Sequence, residues 1–285
     1  MPLNSFTRVL QRMQADGMKV VVDIDDDFMA LNHRNDVWQR VHPAQSPDCN
    51  WQHLAGACRL ADLVTVTTPA LARRYGGHGR VAVIPNHIPE SYLSIRCPAN
   101  DSPIVGWTGA VATHPDDLQV TRGGVARALQ QTGAQFRMVG PEDGVQANLG
   151  LSEPPEATGF VDIDQYPYEM AQIDVGIVPL EMSAFNQAKS YLKMLEFTAL
   201  AVPCVASPTL PNLEFAERYR LPTAAKPKDW ERWVRRLVTD EVLRTEMAEA
   251  GRERMQEETV EANAYRWMEV WEMAYNRGRK LATVR

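Results

Sequence analysis

Short apolar runs alternate with helix-length stretches twice along this chain, and a polar segment separates the two alternations. No other feature restricts the fold as much. Strand, helix, strand in repetition implies parallel strands, because a parallel connection needs a long crossover, and such sheets are covered by helices on both faces. The first alternation runs through KVVVDI (19–24), a helix over 51–61, LVTVT (63–67), PALARRYG (69–76) and VAVIP (81–85). It is preceded by an amphipathic helix over 4–16, with Phe6, Val9, Leu10 and Met13 on one face.

The stretch 90–102 reads as a linker, and the second alternation follows. It comprises the strand IVGW (104–107), a helix over 116–132, FRMVG (136–140), a short helix near 165–172, DVGIVPL (174–180), a helix over 189–200 and PCVAS (203–207). A helical tail in three segments occupies about 228–279, and its Trp230, Trp233, Trp267, Trp271 and Tyr275 read as packing residues. The expected fold class is α/β with two Rossmann-like lobes, the N-terminal one truncated, and a helical tail. The expected divisions are 1–98, 99–260 and a final helix over 261–285 that crosses back to the first lobe.

Charge and cysteine usage remove several function classes. With a net charge of −6 and mixed signs, the chain carries no basic tail of the kind that binds nucleic acid. Cys49, Cys58, Cys97 and Cys204 form no CxxC pair and read as idle thiols. No apolar run reaches the ~18 residues needed to cross a bilayer, so the expected setting is the cytoplasm.

The segment FNQAKSYLKMLEFTALAVPCVAS (185–207) carries the most chemistry. Ser190 stands where an N-cap is expected, and Lys189, Lys193 and Glu196 follow at spacings of four and three on one helical face. Free amides and the macrodipole make a helix N-terminus an anion site, and two ammonium groups add point charges suited to a diphosphate. Lysine is otherwise confined to Lys19, Lys226, Lys228 and Lys280, arginine supplying most of the basic residues. An ordinary surface helix with paired charges is the competing reading of the same spacing.

The segment resembles the C-terminal-lobe signature of GT-B glycosyltransferases of the family 4 (group 1) type. It matches F-N-x-x-K-S-x-x-K-x-L-E-[YF]-x-A-x-x-x-P-V-[VI]-A-S at most of its fixed positions, from Phe185 to Ser207. IVGWTGAVATHPDDL (104–118), FRMVG (136–140), QIDVGIVPL (172–180), ADLVTVTTPAL (61–71) and VAVIPN (81–86) follow the same family's order. Two positions depart from it: Ala188 replaces the first acid of the family's Glu-x7-Glu pair, and Val202 replaces a glycine.

The resemblance implies a glycosyltransferase that moves a sugar from a nucleotide-diphosphate sugar to an unidentified acceptor: saccharide, protein or nucleic acid. It implies no metal, no cofactor and retention of configuration. Donor-binding residues would be Gly106, Thr108, Gly109, Asn186, Lys189, Ser190, Lys193 and Glu196. Asp25, Asp26 and His114 are the catalytic candidates. His114 follows the glycine turn, His33 and His87 sit in other loops, and the acids belong to the run DIDDD (23–27). That run admits three readings: an acceptor-side carboxylate, a D-x-D metal site of the GT-A kind, and a solvated loop. An inactive nucleotide-sugar-binding module and a DNA-modifying glycosyltransferase are the alternative functions.

Overall fold

Eight strands form two separate parallel sheets in the computed structural model, which describes residues 5–276. The side chain of Phe6 and the part of the last expected helix beyond residue 276 lie outside that description. The strands are β1 (Val21–Ile24), β2 (Leu63–Val66), β3 (Val81–Val83), β4 (Ile104–Thr108), β5 (Gln135–Val139), β6 (Glu156–Ala157), β7 (Val175–Val178) and β8 (Cys204–Ala206). The first sheet has the order β1-β2-β3 and the second the order β6-β5-β4-β7-β8.

The described chain divides into two units. The first holds residues up to Asn86, the short segment Ala188–Ser190, and the chain from Asn263 onward. In it, Val64 and Val66 of β2 are buried against Leu10, Ala57 and Leu71 on one face of the sheet. Leu63 and Ile84 face Val270 and Ala274 of the final helix, Val260–Asn276, on the other. Alternate residues of each strand thus feed two cores, which is why these strands read as unbroken apolar runs.

The second unit holds His87–Gln187 and Tyr191–Ala262. Its sheet is buried on both faces. Trp107, Met138, Val175 and Val205 pack under the helices Gly124–Thr132 and Pro227–Thr239, where Trp230 is fully buried. Phe197 and Met194 of the helix Leu192–Ala199 cover the other face together with Phe215.

Several helices differ from their sequence reading. The stretch expected as one helix over 116–132 is a 3-10 turn, Leu118–Thr121, followed by the helix Gly124–Thr132. Left-handed backbone at Arg122 (φ 43°) and Gly123 (φ 73°) separates them. The tail forms three α-helices, Pro227–Thr239, Glu241–Glu253 and Val260–Asn276. Asp240 divides the first two by accepting a hydrogen bond from the Leu243 amide as an N-cap. Trp230 is in the core, but Trp271 and Tyr275 are about half exposed, so the tail's aromatic spacing overstates its packing. Among the described residues no helix is long and apolar enough to cross a membrane.

Candidate functional site

In the second sheet the chain runs outward from β4 through β5 to β6, then returns to β7 on the opposite side of β4 and continues to β8. The loops leaving β4 and β7 therefore diverge. The crevice between such loops, beyond the C-terminal strand ends, is where open α/β sheets bind ligands.

The end of β4 is shaped by backbone approaching backbone. Gly109 takes φ 144° and donates its amide to the Val139 carbonyl at 3.1 Å. Gly140 takes φ 136°, and a Cβ there would stand 2.1 Å from the Gly109 carbonyl oxygen. Only residues without a Cβ can nest two turns in this way. Gly106 serves another purpose. It lies inside β4, in register with Gly176 of β7. A Cβ on Gly106 would stand 2.4 Å from Ile173 Cδ1, and one on Gly176 2.9 Å from the Phe197 ring. The expectation that Gly106 lets a ligand approach is therefore corrected: its missing side chain is filled by core.

Phe197 belongs to the helix Leu192–Ala199, and the near face of that helix carries the polar cluster. Lys193 Nζ donates to Thr108 Oγ1 at 3.2 Å. The Tyr166 hydroxyl, from the short helix Tyr166–Met170, donates to the same oxygen at 3.0 Å and lies 3.5 Å from Glu196 Oε2. Thr108 is fully buried, whereas Lys193 and Glu196 keep part of their surface open. Burial pushes the Glu196 carboxyl up to about 7, against the lowering effect of the Lys193 ammonium and then of the Tyr166 hydroxyl. Burial, and then the charge of Glu196, also raise the phenols of Tyr166 and Tyr92. An acid and a base of opposite charge, two phenols and a threonine thus converge at one strand end, with the acid poised near neutrality. Perturbed carboxyls of this kind gather at functional sites.

Lys189 and Ser190 are placed differently from the sequence reading. No helix runs through them: the helix Ala184–Ala188 ends, and the next begins at Leu192 after Tyr191, with no side-chain cap. Ser190 is therefore not the N-cap; its hydroxyl accepts from Asn86 Nδ2 at 2.8 Å. Lys189 Nζ pairs with Asp26 Oδ1 at 3.0 Å. Both residues group with the first unit, so the argument that Lys189, Lys193 and Glu196 share one helical face holds only for the last two. Asn186 is also differently employed. It is buried, and its Nδ2 donates to Asp117 Oδ1 at 2.7 Å and to the Glu181 carbonyl at 3.1 Å, which uses both amide hydrogens.

The acids of the 23–27 run diverge. Asp23 accepts from the Thr65 hydroxyl, Asp25 from Asn86 Nδ2 at 3.2 Å, and Asp26 from Lys189. Asp27 is buried and held by Arg74 Nε at 2.9 Å and by the Tyr75 hydroxyl. Among the described residues no group of His, Cys, Asp and Glu side chains is gathered so as to hold a metal ion. His114 lies in the loop after Gly109, with Nδ1 2.7 Å from Asp117 Oδ2. His87 is buried, 3.8 Å from Glu258, and His33 is exposed. Sequence reasoning missed Tyr166, Tyr92 and Asp117. Tyr166 lay in a segment recognised as a short tyrosine-containing helix, but nothing local tied it to Thr108.

Residues 102–240 match the family described as glycosyl transferases group 1. The putative teichuronic acid biosynthesis glycosyltransferase TuaH of Bacillus subtilis (strain 168) is 31% identical over 109 residues, which cover 36% of this chain and 26% of TuaH. Crystal structures of S. aureus TarM align at TM-score 0.66 and 13% identity, over 94% of this chain and 53% of TarM. Anabaena HepE in complex with UDP-glucose aligns at TM-score 0.63 and 14% identity, over 93% of this chain and 75% of HepE. The chain thus spans about a quarter of TuaH and half of TarM. Two parallel α/β units, and a second sheet that carries both the family match and the Thr108–Tyr166–Lys193–Glu196 cluster, place the chain in the group 1 glycosyltransferase family with a GT-B fold.

Proposed function

We propose that this chain transfers a glycosyl group from a nucleoside-diphosphate sugar bound at the C-terminal edge of the second sheet. The observation that carries the reading is the convergence of Lys193, Tyr166 and Glu196 on Thr108 beside the β4–β7 switch point. Lys193 meets the diphosphate and neutralises the charge that grows on it as the glycosyl bond breaks. Such an ammonium takes the part of a divalent ion, so transfer is metal-independent and needs no cofactor in this reading. Glu196, when ionised, accepts hydrogen bonds from a ribose diol. Gly109 lets the donor reach the backbone, because no Cβ stands in the way. UDP-sugars are the first donors to try, since HepE was crystallised with UDP-glucose.

Lys189 adds to the diphosphate charge once its bond to Asp26 is exchanged for a phosphate. The acceptor hydroxyl is oriented by Asp25 or Asp26 on the first sheet, and configuration at the anomeric carbon is retained. These parts of the reading rest on the family resemblance and on the residues' places at strand ends.

The test is calorimetric titration with UDP and GDP, followed by transfer and hydrolysis assays with radiolabelled UDP- and GDP-sugars, with and without EDTA. Binding that survives chelation, and turnover of at least one sugar, is the expected result. Failure of the wild-type chain to bind either nucleotide would overturn the donor-site assignment. Binding without turnover would make the chain a nucleotide-sugar-binding module.

A further inference from the structure

Asp117 has no role in the site as described so far, yet it is a charged side chain only 3% exposed. A carboxylate at that depth is tolerated only with partners. Its partners come from two different loops. On the β4 side, Oδ2 lies 2.7 Å from His114 Nδ1. On the β7 side, Oδ1 accepts from the Glu181 amide at 2.8 Å and from Asn186 Nδ2 at 2.7 Å. β4 and β7 are the neighbours that flank the switch point, so one carboxylate joins both walls of the crevice.

The same contact determines the imidazole. An ionised carboxylate only accepts, so the ring nitrogen facing it must carry the hydrogen. In the neutral ring that leaves the lone pair on Nε2. The edge of the Trp107 ring meets His114 at 6.4 Å between centroids and further limits its orientation.

We propose that Asp117 is a positioning residue of the donor crevice: it holds neutral His114 as the Nδ1–H tautomer, so that Nε2 accepts a hydrogen bond from a hydroxyl of the donor sugar. The role of Nε2 rests on the donor reading given above, whereas the tautomer does not. Asn186 and the Glu181 amide are the counterweights that keep the carboxylate from turning with the ring.

Long-range proton–nitrogen NMR of 15N-histidine-labelled wild-type chain identifies the tautomer without any ligand, His114 being assigned by its loss in His114→Ala. The Nδ1–H pattern is expected for His114, and an Nε2–H pattern would overturn the proposal even if every variant failed to fold. Calorimetry with UDP-glucose as probe then gives a double-mutant cycle of Asp117→Asn and His114→Ala. Asp117→Asn alone should weaken binding about tenfold and, in the His114→Ala background, by less than twofold. No loss in the single variant, or equal losses in both backgrounds, would show that Asp117 does not act through His114. If the wild-type chain binds no UDP-glucose at all, the donor reading of the crevice fails, and the NMR pattern decides the tautomer alone.

Discussion

Glu196 offers a measurement that joins stability to function. Its carboxyl titrates near 7 in the folded chain, against 4.5 for an unperturbed glutamate. The folded state thus binds the proton more tightly than the unfolded one. The stabilisation from that proton is complete below about pH 4.5 and is lost as pH rises through about 7. The difference between the two values corresponds to about 3 kcal/mol above neutrality. Glu196→Gln removes the buried charge and keeps the shape. The variant should therefore be more stable than wild type by up to ~3 kcal/mol at pH 8. The gap should narrow to below about 1 kcal/mol at pH 5, where the wild-type side chain is already protonated. Chemical denaturation of both chains at the two pH values measures it, and the 13C shift of Glu196 Cδ gives the midpoint directly. If the midpoint falls near 4.5, or the gap is the same at both pH values, the desolvation argument is wrong. The proposed function adds a consequence of opposite sign. If the donor diol requires the ionised carboxylate, UDP affinity should fall about tenfold between pH 8 and pH 6, and Glu196→Gln should abolish that dependence. A group that destabilises the protein at the pH where it binds is the trade expected of a functional site.

Lys193→Met should weaken UDP binding roughly 10- to 100-fold, as loss of a charged hydrogen bond implies, and calorimetry reads this directly. The same substitution should move the Glu196 midpoint above 7, since the ammonium is the largest influence holding it down. Gly140→Ala introduces a Cβ 2.1 Å from the Gly109 carbonyl at a backbone angle that L residues rarely adopt. It should cost about 1–3 kcal/mol in a denaturation midpoint and weaken UDP binding through the displaced Gly109 turn. Unchanged stability would show that the two turns are not interlocked.

The sheets were legible because their strands are buried on both faces and read as apolar runs: 19–24, 63–67, 104–107 and 174–180 contain β1, β2, β4 and β7. β6 was not legible, since Glu156–Ala157 is two residues long and has no apolar pattern. The helix Leu210–Tyr219 was passed over, although Pro211 within its first turn is a start signal. At the site, Lys193 and Glu196 were legible through their helical spacing of three. Their partners were not, because Tyr166 reaches Thr108 across 58 residues and Lys193 reaches it across 85. Helical spacing also drew Lys189 into the wrong group. Local propensity favours continuing the helix, but the bonds of Lys189 to Asp26 and of Ser190 to Asn86 break it at 189–191. Tertiary hydrogen bonds, which no window of sequence contains, won there over periodicity.

The paired glycines of β4 and β7 have a wider consequence. Gly106 and Gly176 present bare backbone where neighbouring strands present side chains, and Ile173 and the Phe197 ring settle into the hollow. On the outer side of the same helix, Gly251 gives way to Thr198. The height at which Lys193 and Glu196 ride above the strand ends is thus set by absent methyl groups beneath and behind them. Drift or engineering that alters how this chain holds its ligand need not touch a single ligand-facing residue: one carbon atom in the foundations would tilt the floor on which they stand.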